Sequence, residues 1–410
     1  MSEHVRMFSS FKNPSLLQIY LMHLFSLLSN SLTSSIFILY AIELKADILT
    51  INLTTTIAGA MAIFLRLPFG VLSDKYGRKP MLVYSNAVVI VGTFVRLIAT
   101  DPDQLIYAAF LGGLSGGEFL PILLTMISDV TEPEERKAGL SMVYIFSGIG
   151  MLISPIVSTV LVAVLPPPAI NRFKNIYCIS LIGQLLLLLY IIIRVHETKP
   201  NTSPEGKVDR TGYTSILIRH RSYQGLLLTA FLFYFARSNM TTYLQVYAKE
   251  TLQLSDAEVS SFTIFTNVSS LSVRLVLTTV LAKFGLKVIL VSFLMCNGII
   301  NLLSLSANNF PFLSLVFFIS GACYGGTRIL ESVWVSDNSR TENRGVANSL
   351  EQSAVSSGNI MKLATSPIVT VAGYFPVFIL SGILCFIATL PTWFLYKPNA
   401  EEQPSTEKAI

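Results

Sequence analysis

Residues 66–80 read Arg66-Leu67-Pro68-Phe69-Gly70-Val71-Leu72-Ser73-Asp74-Lys75-Tyr76-Gly77-Arg78-Lys79-Pro80, with a long apolar run on each side. Charges this dense do not lie in hydrocarbon, so the stretch predicts a tight turn at a membrane surface between two spans. It has a counterpart 208 residues further on: Arg66, Leu67, Lys75, Gly77 and Lys79 recur without a gap as Arg274, Leu275, Lys283, Gly285 and Lys287. The same offset carries Ser128-Asp129, Glu134 and Arg136 onto Ser336-Asp337, Glu342 and Arg344, and Gly113 and Gly117 onto Gly321 and Gly325. The chain therefore reads as two parallel copies of one half.

Composition agrees. Of 410 residues, 52% are hydrophobic and 13% charged. The mean hydropathy of +0.61 is far above that of soluble proteins. The charges are clumped, leaving apolar stretches of about 20 residues, the length of a membrane-spanning helix. Twelve spans are expected, at 15–42, 49–73, 79–99, 103–129, 136–165, 172–194, 222–248, 256–282, 286–306, 310–337, 343–371 and 373–396. The predicted fold is all-α: twelve transmembrane helices in two pseudo-symmetric six-helix bundles, 1–194 and 222–396. A polar, proline-containing linker at 195–221 joins them, and a disordered tail at 397–410 follows.

Loop charge sets the expected orientation. With both termini inside, and residues at the approximate span ends counted with the adjoining loop, cytoplasmic segments hold 19 of the 29 Lys and Arg, outer segments hold Lys45, Arg172, Lys174 and Lys249, and six lie deeper within spans. That bias predicts cytoplasmic termini and places both charged turns inside; the plasma membrane is the expected location. The net charge of +5 sits in short loops and is not a nucleic-acid signal. Cys178, Cys296, Cys323 and Cys385 all fall in apolar runs, so neither a disulfide framework nor a metal site is expected. Residues 1–12 lack the apolar core of a signal peptide.

The 70–79 segment closely resembles the signature between the second and third helices of the major facilitator superfamily, G-x-L-[AS]-D-[RK]-x-G-R-[KR]. Gly70, Leu72, Ser73, Asp74, Lys75, Gly77, Arg78 and Lys79 all match it. The resemblance implies a secondary transporter working by alternating access, two bundles rocking about a midplane site. It also implies gating roles for Gly70, Asp74, Arg78 and Asp129, as contacts that latch the inner side of the outward-facing state. Arg78 is placed to pair with Asp74 and Asp129, and Gly70 permits close helix approach. A turn that only fixes orientation is the plainer alternative. The second copy has Ala282 in place of Asp74, so the latch is asymmetric.

In the fifth span, Ser141, Gly150, Ser154-Pro155, Ser158 and Thr159 follow the spacing of an antiporter motif of that family, with Ser or Thr replacing most glycines. An ordinary packing face with a proline bend reads equally well. Ionisable groups inside spans are costly and mark function. Glu118 lies in the fourth span, Arg237 in the seventh, Arg328 and Glu331 in the tenth, and His23 and Asn30 in the first, with Asn239 and Tyr243 also in the seventh. In the superfamily these four helices line the central cavity, so all eight residues are candidates for substrate binding. Glu118 and Glu331 are candidates for proton coupling, and Glu118 alternatively pairs permanently with Arg328 or Arg237. The two arginines either hold an anionic substrate or pair internally; the four charges sum to zero, which favours pairing. Lys362 lies at the interface of the halves or snorkels outward. The fourth span lacks the arginine that proton-coupled exporters of the family often carry, since 106–113 reads IYAAFLGG.

Other motifs are decoys. Gly113-Leu114-Ser115-Gly116-Gly117 spells a nucleophile elbow inside a span, without the strand–turn–helix it requires. Asn52-x-Thr54 and Asn239-x-Thr241 match the glycosylation pattern at or within spans. There is no phosphate loop and no zinc-protease motif. The expectation is a non-enzymatic, cofactor-free monomer in the bilayer that exports a small organic solute in exchange for protons. Uptake of a sugar or organic anion by symport or uniport is the second reading, and a non-transporting receptor on the same fold is the third.

Overall fold

The computed structural model describes residues 14–115, 119–131, 133–198, 220–339 and 344–396. The linker segment 199–219 and the tail 397–410 lie outside these residues. In chain order the α-helices are α1 (Pro14–Ser34), α2 (Phe37–Glu43), α3 (Ile48–Tyr76), α4 (Arg78–Ile98), α5 (Asp103–Gly113), α6 (Phe119–Val130), α7 (Pro133–Val164), α8 (Ala169–Arg194), α9 (Arg221–Glu250), α10 (Asp256–Phe284), α11 (Leu286–Leu303), α12 (Phe310–Asp337), α13 (Arg344–Met361), α14 (Ser366–Ala372) and α15 (Phe375–Leu395). Among the described residues, eight helical segments are long and apolar enough to cross a membrane. They coincide with eight of the twelve expected spans. The other four expected spans are helical too. In the fourth, α5 ends at Gly113 and α6 begins at Phe119, with 116–118 outside the described residues, and the seventh, eighth and eleventh are rich in Ser, Thr and Asn.

The internal repeat is physical. α3 and α10 both have 29 residues and begin and end 208 positions apart. Each starts at a side-chain cap: the Thr50 amide donates to Asp47 at 2.8 Å, and Ser255 forms a capping box with Glu258. Each ends at a glycine with positive φ, Gly77 at +108° and Gly285 at +73°, which starts the next helix at once. Only glycine adopts that backbone without strain, so the charged stretch turns within one residue.

Packing repeats as well. α1 lies against α7 and α8, and α9 lies against α13 and α15. α3 packs on α5 and α10 on α12. Small residues allow these approaches. A Cβ on Gly321 would stand 2.6 Å from the Cα of Thr266, and one on Gly113 would stand 2.7 Å from the Cβ of Met61. The halves meet through two equivalent pairs, α7 with α10 and α3 with α13.

The hydrophobic cores show how the halves are disposed. At the end where α3 and α10 begin, one buried cluster runs across both halves, from Ile36 and Tyr40 through Tyr177 to Tyr243, Phe262 and Phe378. At the end carrying the Gly77 and Gly285 turns, the described core is two clusters. One, with Tyr20, Leu82 and Met126, belongs to the first half; the other, with Phe233, Leu290 and Trp334, belongs to the second. Among the described residues, the halves share one core at the first end and have separate cores at the second.

Candidate functional site

At the parted end, the 66–80 turn closes on a buried guanidinium. Arg78 donates through Nη1 to Asp74 at 2.6 Å and to Ser73 Oγ at 3.1 Å, and through Nε to Asp129 at 3.3 Å. The sequence placed these three charges together. It did not place Glu197, assigned to the linker. Glu197 accepts from the Arg78 and Lys79 backbone amides at 2.9 and 3.1 Å, capping α4, and a Cβ on Gly77 would collide with its carboxylate. Lys79 Nζ donates to the Ile192 carbonyl at the end of α8, so the turn is tied to the exit of the first half. Gly70 lies inside α3.

The tenth-span charges meet a partner from the eleventh. Arg328 Nη1 lies 2.5 Å from Glu351 and 3.8 Å from Glu331, three residues along the same helix. Glu331 is fully buried, accepts from the Tyr234 hydroxyl at 3.4 Å, and its other carboxyl oxygen meets no donor among the described residues. Gln352 donates to the second oxygen of Glu351 at 2.8 Å. Two buried carboxylates thus share one guanidinium. Arg237 stacks over the Tyr324 ring, 3.8 Å from its centroid, and Tyr324 meets Tyr234 edge-on at 6.1 Å. Among the described residues, Arg237 is linked to the carboxylates through these rings. Sequence reading had Arg328 and Glu331 on one face but overlooked Glu351. The available signal was a carboxylate inside an expected span, one outside the four cavity helices searched.

At the joined end, Asn52 of α3 ties the halves. Its Nδ2 donates to Tyr243 and to Ser366, both at 2.8 Å. The eleventh span breaks there into a 3-10 turn, Lys362–Thr365, between α13 and α14. Tyr243 donates to the Lys362 carbonyl at that break, at 3.0 Å, and Thr365 donates to it at 2.6 Å. The Tyr243 hydroxyl also lies 2.8 Å from Thr365, which hydrogen-bonds Asn239 at 2.9 Å. Thr56 donates to the Ile360 carbonyl, Asn267 of α10 to the Met151 carbonyl of α7, and Ser260 to Thr159. Arg172 and Lys249 both pair with Asp256. Of the candidate binding residues, Tyr243 takes part in a contact between the halves through Asn52, and Asn239 bonds Thr365 within the second half. Asn52 and Asn239, of the two apparent glycosylation motifs, are both fully buried.

His23 lies 2.6 Å from Ser147 of α7, and Asn30 accepts from Gln184 of α8 at 2.9 Å. Both sit in helix contacts of the first half. The small residues of the fifth span serve two contacts: Ser154 donates to the Leu28 carbonyl of α1, while Met151 and Thr159 face α10. Glu118 lies outside the described residues. Lys362 is buried and donates to Thr242 at 2.9 Å, beside a cavity of about 180 Å³ bounded by α1–α3, α9 and the 3-10 turn.

Two pseudo-symmetric helical bundles, joined at one end and enclosing buried charge, define a membrane transporter architecture. The Major Facilitator Superfamily model matches residues 19–300 and 226–409, and the chain belongs to that family. It is 30% identical over 102 residues to Multidrug resistance protein 3 of Bacillus subtilis, covering 25% of this chain and 20% of that protein. It is 30% identical over 152 residues to the Sialic acid transporter NanX of Escherichia coli, covering 35% of each. These matches span about a third or less of either relative. Among solved structures, a POT family transporter bound to 5-aminolevulinic acid aligns with TM-score 0.75 at 16% identity over 92% of this chain and 94% of that one. The human organic anion transporter MFSD10 aligns at 0.65 and 15% identity, over 92% and 99%. At such identities these structures show the fold alone.

Proposed function

We propose that this chain is a secondary active transporter that moves a small organic solute across the plasma membrane by alternating access, coupled to protons, with export as its direction. The observation that carries the coupling is the sharing of Arg328 between Glu331 and Glu351 in a buried site. Two buried carboxylates do not both keep their charge on one guanidinium at low cost, and a Glu331 oxygen with no hydrogen-bond partner among the described residues costs less on a neutral carboxyl than on a carboxylate. Glu331 is the proton carrier, and Arg328 reads its charge state against Glu351. Glu118 keeps its place as a second candidate on the facing half.

With both termini cytoplasmic, the parted end faces inward and the conformation is inward-facing. The Asp74–Arg78–Asp129 cluster then lies at the open mouth, ready to latch when the halves close there. The export direction is supported by the relatives that are themselves a multidrug resistance protein and an efflux pump. The second reading, uptake of an organic anion, is favoured by Arg237 and Lys362, for neither of which a carboxylate partner occurs among the described residues.

The test is proton movement in proteoliposomes containing a trapped pH dye, challenged with a panel of organic anions, neutral solutes and cations. At least one solute is expected to drive proton flux in wild type. Glu331→Gln is expected to abolish that flux while retaining solute-for-solute exchange. Exchange with no proton movement in wild type would leave a uniporter, and no flux of any solute would turn the reading towards a receptor.

A further inference from the structure

We propose that Lys362 forms the carboxylate-binding subsite of this transporter, in the pocket beneath the joined end, and that the solute is a small organic anion with a compact apolar body. The inference deepens the transporter reading and needs neither proton coupling nor a direction of transport.

The ammonium of Lys362 is in an unusual position. The residue is 6% exposed, yet no carboxylate of the described residues lies within ion-pair distance of it. Its side chain donates once, to Thr242, which leaves the ammonium two further donors. A buried lysine without a counter-ion is costly, and such groups in membrane spans mark solute or ion paths. Two helix breaks meet at this place. The eleventh span unwinds at Lys362–Thr365, and the first span is interrupted between α1 and α2. Discontinuous helices at the interface of repeats are where transporters of this architecture hold solutes.

The pocket walls fit the proposed chemistry. Phe37, Ile38 and Ile51 supply apolar surface from the first half, while Gln245 and Lys362 supply donors from the second. Gln245 makes no side-chain hydrogen bond among the described residues, so its amide is available beside the ammonium. A carboxylate there would take charge-assisted bonds from Lys362 and one from Gln245, and its apolar body would lie against Phe37. Because the cation belongs to the second half and the apolar wall to the first, an occupant touches both halves. Its binding is then sensitive to their rocking.

The test uses the purified full chain, thermal stability as the readout, and three probes of one shape: benzoate, benzamide and benzylammonium, all at one pH. Benzoate is expected to stabilise the protein, and the neutral and cationic analogues are not. Lys362→Met is expected to weaken the apparent affinity for benzoate by about tenfold or more, the loss of a charge-assisted bond. Should that variant fail to fold, Gln245→Leu removes a donor without touching a charge and is expected to weaken benzoate several-fold relative to wild type. Equal response to benzoate and benzamide, no response to benzoate, or unchanged benzoate affinity in the variants overturns the subsite. The transporter reading would survive any of those results, because it is judged by solute and proton flux.

Discussion

Arg328 is the residue on which the buried charge turns. Its guanidinium bridges two carboxylates that are themselves almost fully buried, so removing it strands the Glu351 charge in low dielectric and leaves Glu331 without its donor. Arg328→Gln is expected to destabilise the protein by roughly 3–5 kcal/mol, and Glu351→Gln by distinctly less, because Arg328 then still has Glu331, which can ionise, as a counter-ion. Thermal unfolding in detergent checks both, and a larger loss for Glu351→Gln would contradict the assignment of the stronger pair. Much of this site was legible in the sequence: charges inside apolar runs announce themselves, and the i, i+3 spacing put Arg328 and Glu331 on one face. Glu351 was overlooked because the eleventh span was not expected to line the site. Tyr324 and Tyr234 were invisible for another reason. An aromatic in a membrane span carries no mark of whether it meets lipid, a ring or a guanidinium.

Two equivalent turns offer a controlled comparison at the level of elements. Gly77 and Gly285 occupy the same place in the two repeats and both have positive φ, but the Glu197 carboxylate covers Gly77 while open space surrounds Gly285. Both Gly→Ala changes carry the backbone cost of about 1–3 kcal/mol. Gly77→Ala is expected to be the worse, since it also dislodges the cap on α4; equal losses would show that Glu197 contributes nothing. Gly321→Ala presses a methyl group into the backbone of α10 and is expected to cost about 1–3 kcal/mol, read as a lowered melting temperature. The sequence made the turns and the repeat legible because a charged knot between apolar runs has few alternatives. The interruptions of the first and eleventh spans were not legible. Ser35 and the Lys362-Leu363-Ala364-Thr365 stretch look like ordinary parts of a span, and the bond from Tyr243 to the Lys362 carbonyl at the break joins residues far apart in the chain.

At the scale of the molecule, one hydrophobic core joins the halves at one end, and the described residues form two separate cores at the other. This disposition predicts that cysteines at Thr56 and Ile360, in a background free of the four native cysteines, cross-link readily in the resting protein. The cross-link is expected to arrest solute exchange, and reduction to restore it. Unimpaired exchange in the cross-linked protein would show that the joined end does not open during transport. The sequence could supply two bundles and an orientation, but not which end is shut, because both conformations of a rocking pair use the same chain. Proton flux through reconstituted wild type and Glu331→Gln bears most directly on proton-coupled transport. Solute-driven proton movement in wild type, lost in the variant while solute exchange persists, is the predicted result. Proton movement that survives unchanged in Glu331→Gln would contradict it.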